Sequence, residues 1–493
     1  MDQSEMETQL AIGNSEAFAH ALNIYQKGAH SKSVAQVTLN SGLTSAVKAG
    51  AAVSGKSVKG SQVTGIINED AAASATAVKI EYDITAIQSM HVGCQVGGSP
   101  DPLLDGCFAA QGELTVSGLN YNYTYNPSRN NVNQRTLQGF SQQAEAKMYR
   151  CETCPYVTYQ KFYDYYGQFD YADKWILAAF NGGSTSFTRG NADFSSYSVV
   201  GKSEAIKKGT VFMSVWMYVI RELEDAIDDC VSDCDPTTSC NMDPVNAWDE
   251  AAAFYTGSLE GQDGSGTGVM LHSLADKRCA NFKTCGDLAN EITGTSHVNI
   301  EILAQLVDGK RKLGAGQCSA VRANKERIEQ LMAVPLVQGT LRYAYITEFE
   351  PEDDMEKSEA EGATFAAAVL PLVHACDEDA ANTIYNSMKV GQGGSADFIA
   401  VKKAFQSVYS CMKIRCEDVG GIYDTTTGLY MPQAGPCGLK TEESKKKGGL
   451  IVGLSFGGVA LAVLAFFGLR KLTGSHSNVQ PPSDLNVSDK IAA

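Results

Sequence analysis

A chain of 493 residues is long enough for roughly two to three domains, and with 44 % hydrophobic residues it has a core to bury, which excludes global disorder. Its formal net charge of −16, from 40 Lys and Arg against 56 Asp and Glu, repels nucleic acid and attracts cations. No basic stripe with interleaved aromatics offsets that field, so nucleic-acid binding is set aside; solubility alone is the other reading of the charge.

In chain order, residues 1–19 have neither a positive n-region nor an apolar h-region and do not read as a signal peptide. Either the sequence begins after the true start or export takes another route. Residues 20–140 read as β-rich. VAQVTL, KSVKGSQVTGII, AVKIEYDI and GELTVSGLNYNYTY alternate apolar with polar residues and are punctuated by Gly and Ser. Within them Asn122-Tyr123-Thr124 is a glycosylation sequon, a weak signal that Asn486-Val487-Ser488 repeats near the C-terminus.

Residues 141–297 change to helical spacing in SQQAEAKMYR, YADKWILAAF and KKGTVFMSVWMYVIRELEDAIDDC. A Cys-, Pro- and Asp-rich connection follows, then a short helix at Pro244–Thr256, where Pro244 suits a first turn. Residues 298–437 are helical again. Lys207-Lys208, Ser214-Val215-Trp216, Arg221 and Glu224-Asp225 echo Lys402-Lys403, Ser407-Val408-Tyr409, Arg415 and Glu417-Asp418 at unequal spacing, so a duplicated pair of halves is one reading. A lysine-rich linker (438–447) leads to 22 uncharged residues, Gly448–Leu469, long enough to cross a bilayer as a helix. Residues 470–493 form a tail without tyrosine, which excludes a tyrosine-based sorting motif. The expected fold is therefore α+β: a β-rich region, a mainly helical disulfide-bonded ectodomain, and one C-terminal transmembrane helix.

All 14 cysteines precede Gly448. That asymmetry fits an oxidising compartment on one side of a membrane and places residues 1–447 outside. The flanking lysines leave the positive-inside rule ambiguous, and a cytosolic tail-anchored protein is the alternative. Short-loop bridges are expected for Cys94 with Cys107, Cys151 with Cys154, Cys279 with Cys285, and Cys411 with Cys416, although spacing does not settle connectivity. Cys151-Glu152-Thr153-Cys154 reads as a structural bridge, since the second Cys-x-x-Cys of a zinc site is missing and Pro155 follows.

No His-Glu-x-x-His, Gly-x-Ser-x-Gly, Walker loop or dinucleotide fingerprint occurs, so the chain does not read as an enzyme. The seven histidines are scattered. Carboxylates and tyrosines are more informative. Tyr218, Glu222, Asp225 and Asp229 are spaced i, i+4, i+7, i+11 and share one helical face. Three carboxylates in a row repel unless a cation joins them, whether Arg221, a neighbour's lysine or a hard metal ion; a solvated acidic face is the bland reading. Asp249, Glu250 and Tyr255 form a second candidate, although a helix N-terminus alone accounts for the acids. Gln338, Arg342 and Tyr345 form a third, where an Arg in an apolar run needs an anionic partner, either a carboxylate or a bound anion. Oxygen donors of this kind suit Fe³⁺, and no EF-hand loop argues for Ca²⁺.

Eight blocks are recognisable in order: Ile24–Leu39 (IYQKGAHSKSVAQVTL), Tyr165–Phe180 (YYG and DYADKWILAAF), Gly190–Ser195 (GNADFS), Met217–Cys230 (MYVIRELEDAIDDC), Ala247–Gly261 (AWDEAAAFYTGSLEG), Leu274–Gly286 (LADKRCANFKTCG), Val334–Tyr345 (VPLVQGTLRYAY) and Ala360–Pro371 (AEGATFAAAVLP). Over residues 20–437 the chain resembles the iron-assimilating, low-iron-inducible periplasmic proteins of algae, and its C-terminal anchor resembles their membrane-bound relatives, the phytotransferrins. The resemblance implies a plasma-membrane receptor that captures Fe³⁺ with carbonate as synergistic anion, engages the endocytic machinery, and releases iron in acidic endosomes. It supplies no ligand map. The metal candidates remain Tyr218, Glu222, Asp225, Asp229, Asp249, Glu250, Tyr255 and Tyr345; the anion candidates, Arg221 and Arg342; the glycosylation candidate, Asn122. A structural or adhesive surface glycoprotein is the alternative, and a surface metalloenzyme a weaker one.

Overall fold

The computed structural model describes residues 1–28, 34–57, 60–82, 108–125, 136–233, 243–260, 266–350, 355–391 and 396–438, all within a compact unit spanning Met1–Leu439. The apolar stretch 448–469, expected to span a membrane, and the expected Cys94–Cys107 bridge lie outside the described residues. Among the described residues no helix is long and apolar enough to cross a membrane.

The first residues are helical. Gly13, at φ 76°, separates α1 (Asp2–Ile12) from α2 (Ser15–Lys27), and the Asn14 side chain caps α2 by accepting the Ala17 N–H at 2.8 Å. Met6, Leu10, Ala21, Ile24 and Tyr25 face the core of the later helices.

The alternating segments form β1 (Val34–Leu39), β2 (Ala52–Lys56), β3 (Gln62–Ile67), β4 (Ala77–Tyr82), β5 (Gln111–Val116) and β6 (Leu119–Tyr125). They close into an antiparallel barrel in the order β1-β4-β3-β2-β5-β6, with β6 pairing back to β1. Period-two patterning puts Val37, Val63, Ile67, Ile80, Leu114, Tyr121, Tyr123 and Tyr125 inside, packed around Phe108. Closure removes the exposed edges that a strand set this short would otherwise present. Ser117 and Gly118, both at positive φ, make the two-residue turn between β5 and β6. Asn122 and Thr124 of the sequon face outward.

From residue 136 the chain is helical: α3 (Leu137–Gln142), α4 (Val157–Tyr166), α5 (Tyr171–Asn181), α6 (Val199–Gly209), α7 (Trp216–Asp233), α8 (Asp243–Thr256), α9 (Leu271–Phe282), α10 (His297–Gly314), α11 (Cys318–Phe349), α12 (Met355–His374), α13 (Glu378–Met388), α14 (Phe398–Met412) and α15 (Cys416–Val419). Two single-turn π-helical segments interrupt the α-pattern, Glu145–Tyr149 after α3 and Thr210–Val215 between α6 and α7. The segments that echo one another in sequence differ in build: 207–225 runs continuously through its π turn, whereas 402–418 breaks at Lys413, at φ 56°.

Two buried indoles seat the helices that carry the acidic faces. Trp216 starts α7 fully buried and donates its indole N–H to the Met332 carbonyl of α11 at 3.2 Å. Trp248 anchors α8 against α10, donating to the Leu306 carbonyl at 2.8 Å. That approach requires Gly309, where a Cβ would sit 2.2 Å from the indole. Cys230–Cys318 ties the end of α7 to the start of α11.

Cys151–Cys154 and Cys279–Cys285 pair as expected. Cys411 and Cys416 do not pair with each other. Cys411 bonds Cys376, beyond α12, and Cys416 bonds Cys437. The left-handed turn at Lys413 separates the last turn of α14 from α15, so two cysteines five residues apart face different neighbours.

Candidate metal cleft

Helix α7 has two faces. Val215, Val219, Leu223, Ala226 and Cys230 are buried, and Trp216 pins that side to α11. The 3.6-residue period then turns Tyr218, Arg221, Glu222, Asp225 and Asp229 toward one cleft of about 410 Å³. Its far wall is the first part of α8, with Asp243, Asn246, Ala247 and Glu250; its third wall is α3 and the π turn after it, with Gly139, Phe140, Gln143 and Lys147. Among the described residues, five carboxylates thus face two cations, a surplus of three negative charges.

The deepest acid is Glu222, 1 % exposed. Its Oε2 takes Arg221 Nη1 at 2.6 Å, while its Oε1 is buried and unpartnered among the described residues. Arg221 Nη2 reaches Asp225 Oδ2 at 2.9 Å. Burial opposes the Arg221 charge, but Glu222 and then Asp225 outweigh it and hold the guanidinium protonated beyond its ordinary range. Burial lifts the Asp225 carboxyl above the usual aspartate range, Arg221 offsetting only part of the effect.

Tyr218 stacks on Phe140 with ring centroids 4.2 Å apart and meets Phe254 edge-on at 5.0 Å. Lys147 Nζ and Arg221 Cζ lie 5.6 and 5.9 Å from its centroid. Burial, and then the Glu222 charge, raise its phenol above the ordinary range. A cation reaching the hydroxyl would reverse that preference, because it stabilises the phenolate.

Six of the ten metal and anion candidates therefore meet here: Tyr218, Arg221, Glu222, Asp225, Asp229 and Glu250. Four lie elsewhere. Asp249 is rotated to the exposed side of α8 and pairs with Lys310 at 2.6 Å. Tyr255 is fully enclosed and donates its hydroxyl to Asn299 Oδ1. Tyr345 packs among Phe349 and Phe398. Arg342 is on α11, beside Tyr343 and Arg278. Sequence reasoning missed Gln143, Lys147, Asp243 and Asn246. Asp243 had a readable signal, a carboxylate immediately before Pro244 at a helix start. Lys147 had none, because a π turn displaces the helical register.

A second set of ligand-type atoms, from His297, Glu301 and Asp418, lies within 4.8 Å of one another. Two guanidinium groups already neutralise it. Arg327 forks onto Glu301 at 2.6 and 2.8 Å, and Arg415 Nη2 holds Asp418 at 2.5 Å.

A model of the low iron-inducible periplasmic protein family, Fea1, matches residues 125–427. The chain belongs to this family. No curated protein and no solved structure matches it. The Fea1 span starts at the last residue of β6, so it takes in every residue lining the cleft and leaves out nearly all of the barrel. The family description ties the chain to the low-iron response, and its role is iron-related.

Proposed function

We propose that this Fea1 protein is a cell-surface ferric-iron receptor that holds Fe³⁺ in the cleft between α7 and α8, together with carbonate. The observation that carries the reading is the unpartnered, buried Glu222 Oε1 in a cleft with three surplus negative charges. Burying a charged oxygen without a partner is costly, and a hard cation removes that cost. Glu222, Asp225, Asp229, Asp243, Glu250 and Tyr218 supply oxygen donors of the type ferric iron prefers. Arg221 and Lys147 supply positive charge for the anion. Residues 448–469 anchor the receptor with its disulfide-bonded region outside, Asn122 carries the glycan, and endocytic uptake delivers the complex to an acidic compartment. Acid releases iron because protons compete for every one of these ligands and convert carbonate to bicarbonate.

The test is a ferric titration of residues 1–447 at neutral pH, with and without carbonate, followed by visible absorption. A tyrosinate-to-iron band that needs carbonate and vanishes on acidification is expected. Absence of ferric binding in both buffers would leave a structural or adhesive surface protein.

A further inference from the structure

Outside the iron cleft, the least satisfied charge among the described residues is Arg278 on α9. It is 8 % exposed, and neither its Nε nor its Nη1 has a partner. Its guanidinium carbon lies 5.8 Å from the Tyr343 ring centroid. Burial lowers its proton affinity, and Arg342 adds repulsion. A buried guanidinium in this position calls for an acceptor.

Nearby acids are already engaged. Glu361 of α12 accepts the Tyr343 hydroxyl and lies 4.0 Å from Lys208 Nζ. Glu204 pairs with Lys207 at 3.2 Å and with Lys208 at 3.6 Å. Arg342 makes no ion pair or hydrogen bond among the described residues. Glu7 also acts on Lys208 and Lys357 on Glu204, so among the described residues five cations, Lys207, Lys208, Arg278, Arg342 and Lys357, face three carboxylates, Glu7, Glu204 and Glu361, a surplus of two positive charges in a chain of net −16. Lys208, Arg342 and Tyr343 are half-buried, whereas Arg278 is buried.

We propose that Arg278, Arg342 and Lys208 form a binding site for a small, doubly charged oxyanion of the phosphate class, separate from the iron cleft. A dianion matches the surplus charge and offers acceptors to the free guanidinium N–H groups. Its source is either inorganic phosphate or the head of a phosphate monoester, and the probes separate the two.

The experiment is calorimetric titration of the disulfide-intact protein in chloride buffer with inorganic phosphate, and in parallel with phosphorylcholine. Saturable phosphate binding that weakens with ionic strength is expected. Phosphorylcholine binding as well would identify an ester head as ligand; phosphate binding alone would identify the free ion. Arg342→Gln and Lys208→Gln should each weaken binding by about 10–100-fold, the worth of one charge-assisted hydrogen bond. Arg278→Gln should abolish it; if that variant fails to fold, the two half-buried positions carry the test. No heat from either probe at tens of millimolar, or wild-type affinity in both half-buried variants, would overturn the proposal.

Discussion

Arg221→Gln separates the cleft's own charge from whatever it binds. Arg221 holds Glu222 at 2.6 Å and Asp225 at 2.9 Å, and its side chain is 16 % exposed against 2 % and 30 % for the two acids. Losing the cation strands Glu222 as a buried carboxylate, and removing one partner of a buried pair costs about 3–5 kcal/mol. The Asp225 contact is more solvated and adds about 0–1 kcal/mol, as surface pairs do. The metal-free variant should therefore be about 3 kcal/mol less stable than wild type in urea unfolding, at the low end of that range. Ferric iron should restore the loss, since it supplies the missing positive charge, and the carbonate requirement should weaken because the anion has lost its guanidinium. The pH dependence has a definite sign. Burial raises the folded-state Asp225 pKa above its unfolded value of 3.8. Its contribution to stability is thus fully present below 3.8 and is lost as pH rises through the folded value. Acidification toward that window should raise the Asp225 contribution to the stability of the iron-free protein while expelling the metal. A destabilisation that ferric iron leaves untouched would show that Arg221 and Glu222 merely brace α7 and that the cleft does not hold ferric iron.

Glu222→Gln with Asp225→Asn keeps the side-chain shapes and removes two donors. Outer-shell changes alone cost metal sites about 10–100-fold, so ferric affinity should fall by more than about 100-fold, with circular dichroism unchanged. Replacing both Cys230 and Cys318 by Ser opens a bridge spanning 88 residues; loop entropy predicts a loss of about 4–5 kcal/mol in denaturant unfolding. Trp248→Ala should cost about 3–5 kcal/mol, and, because Trp248 docks α8 on α10, ferric affinity should drop with it although the indole does not line the cleft; unchanged affinity would mean that α8 is not a wall of the site. In the barrel, burial pushes the Tyr123 phenol up to about 12. Its contribution to stability is fully present below about pH 10 and should be lost as pH rises through about 12, which alkaline unfolding followed by tyrosinate absorption would check.

Local periodicity determined much of this protein. The acidic face of α7 was legible because its side chains sit on one helix, where spacing alone sets direction. The strands were legible from alternation, and so were the two shortest disulfides, whose cysteines lie 3 and 6 residues apart. Their closure into a barrel was not, since strand order rests on pairings between residues far apart in the chain. Nor did residue type separate Glu250, which lines the cleft, from its neighbour Asp249, which one residue of helical rotation sends to Lys310. Tyr255 and Tyr345 look like ligands in the sequence and are core residues in the fold, because a phenol's role depends on what encloses it. Lys147 reaches the cleft only through a π turn, and Cys411 and Cys416 part company at a single left-handed residue. The sequence alone determined which residues could share a helix or strand face; packing between segments remote in the chain decided which faces met, and only where α7, α8 and the π turn after α3 converge do their charges meet in one cleft.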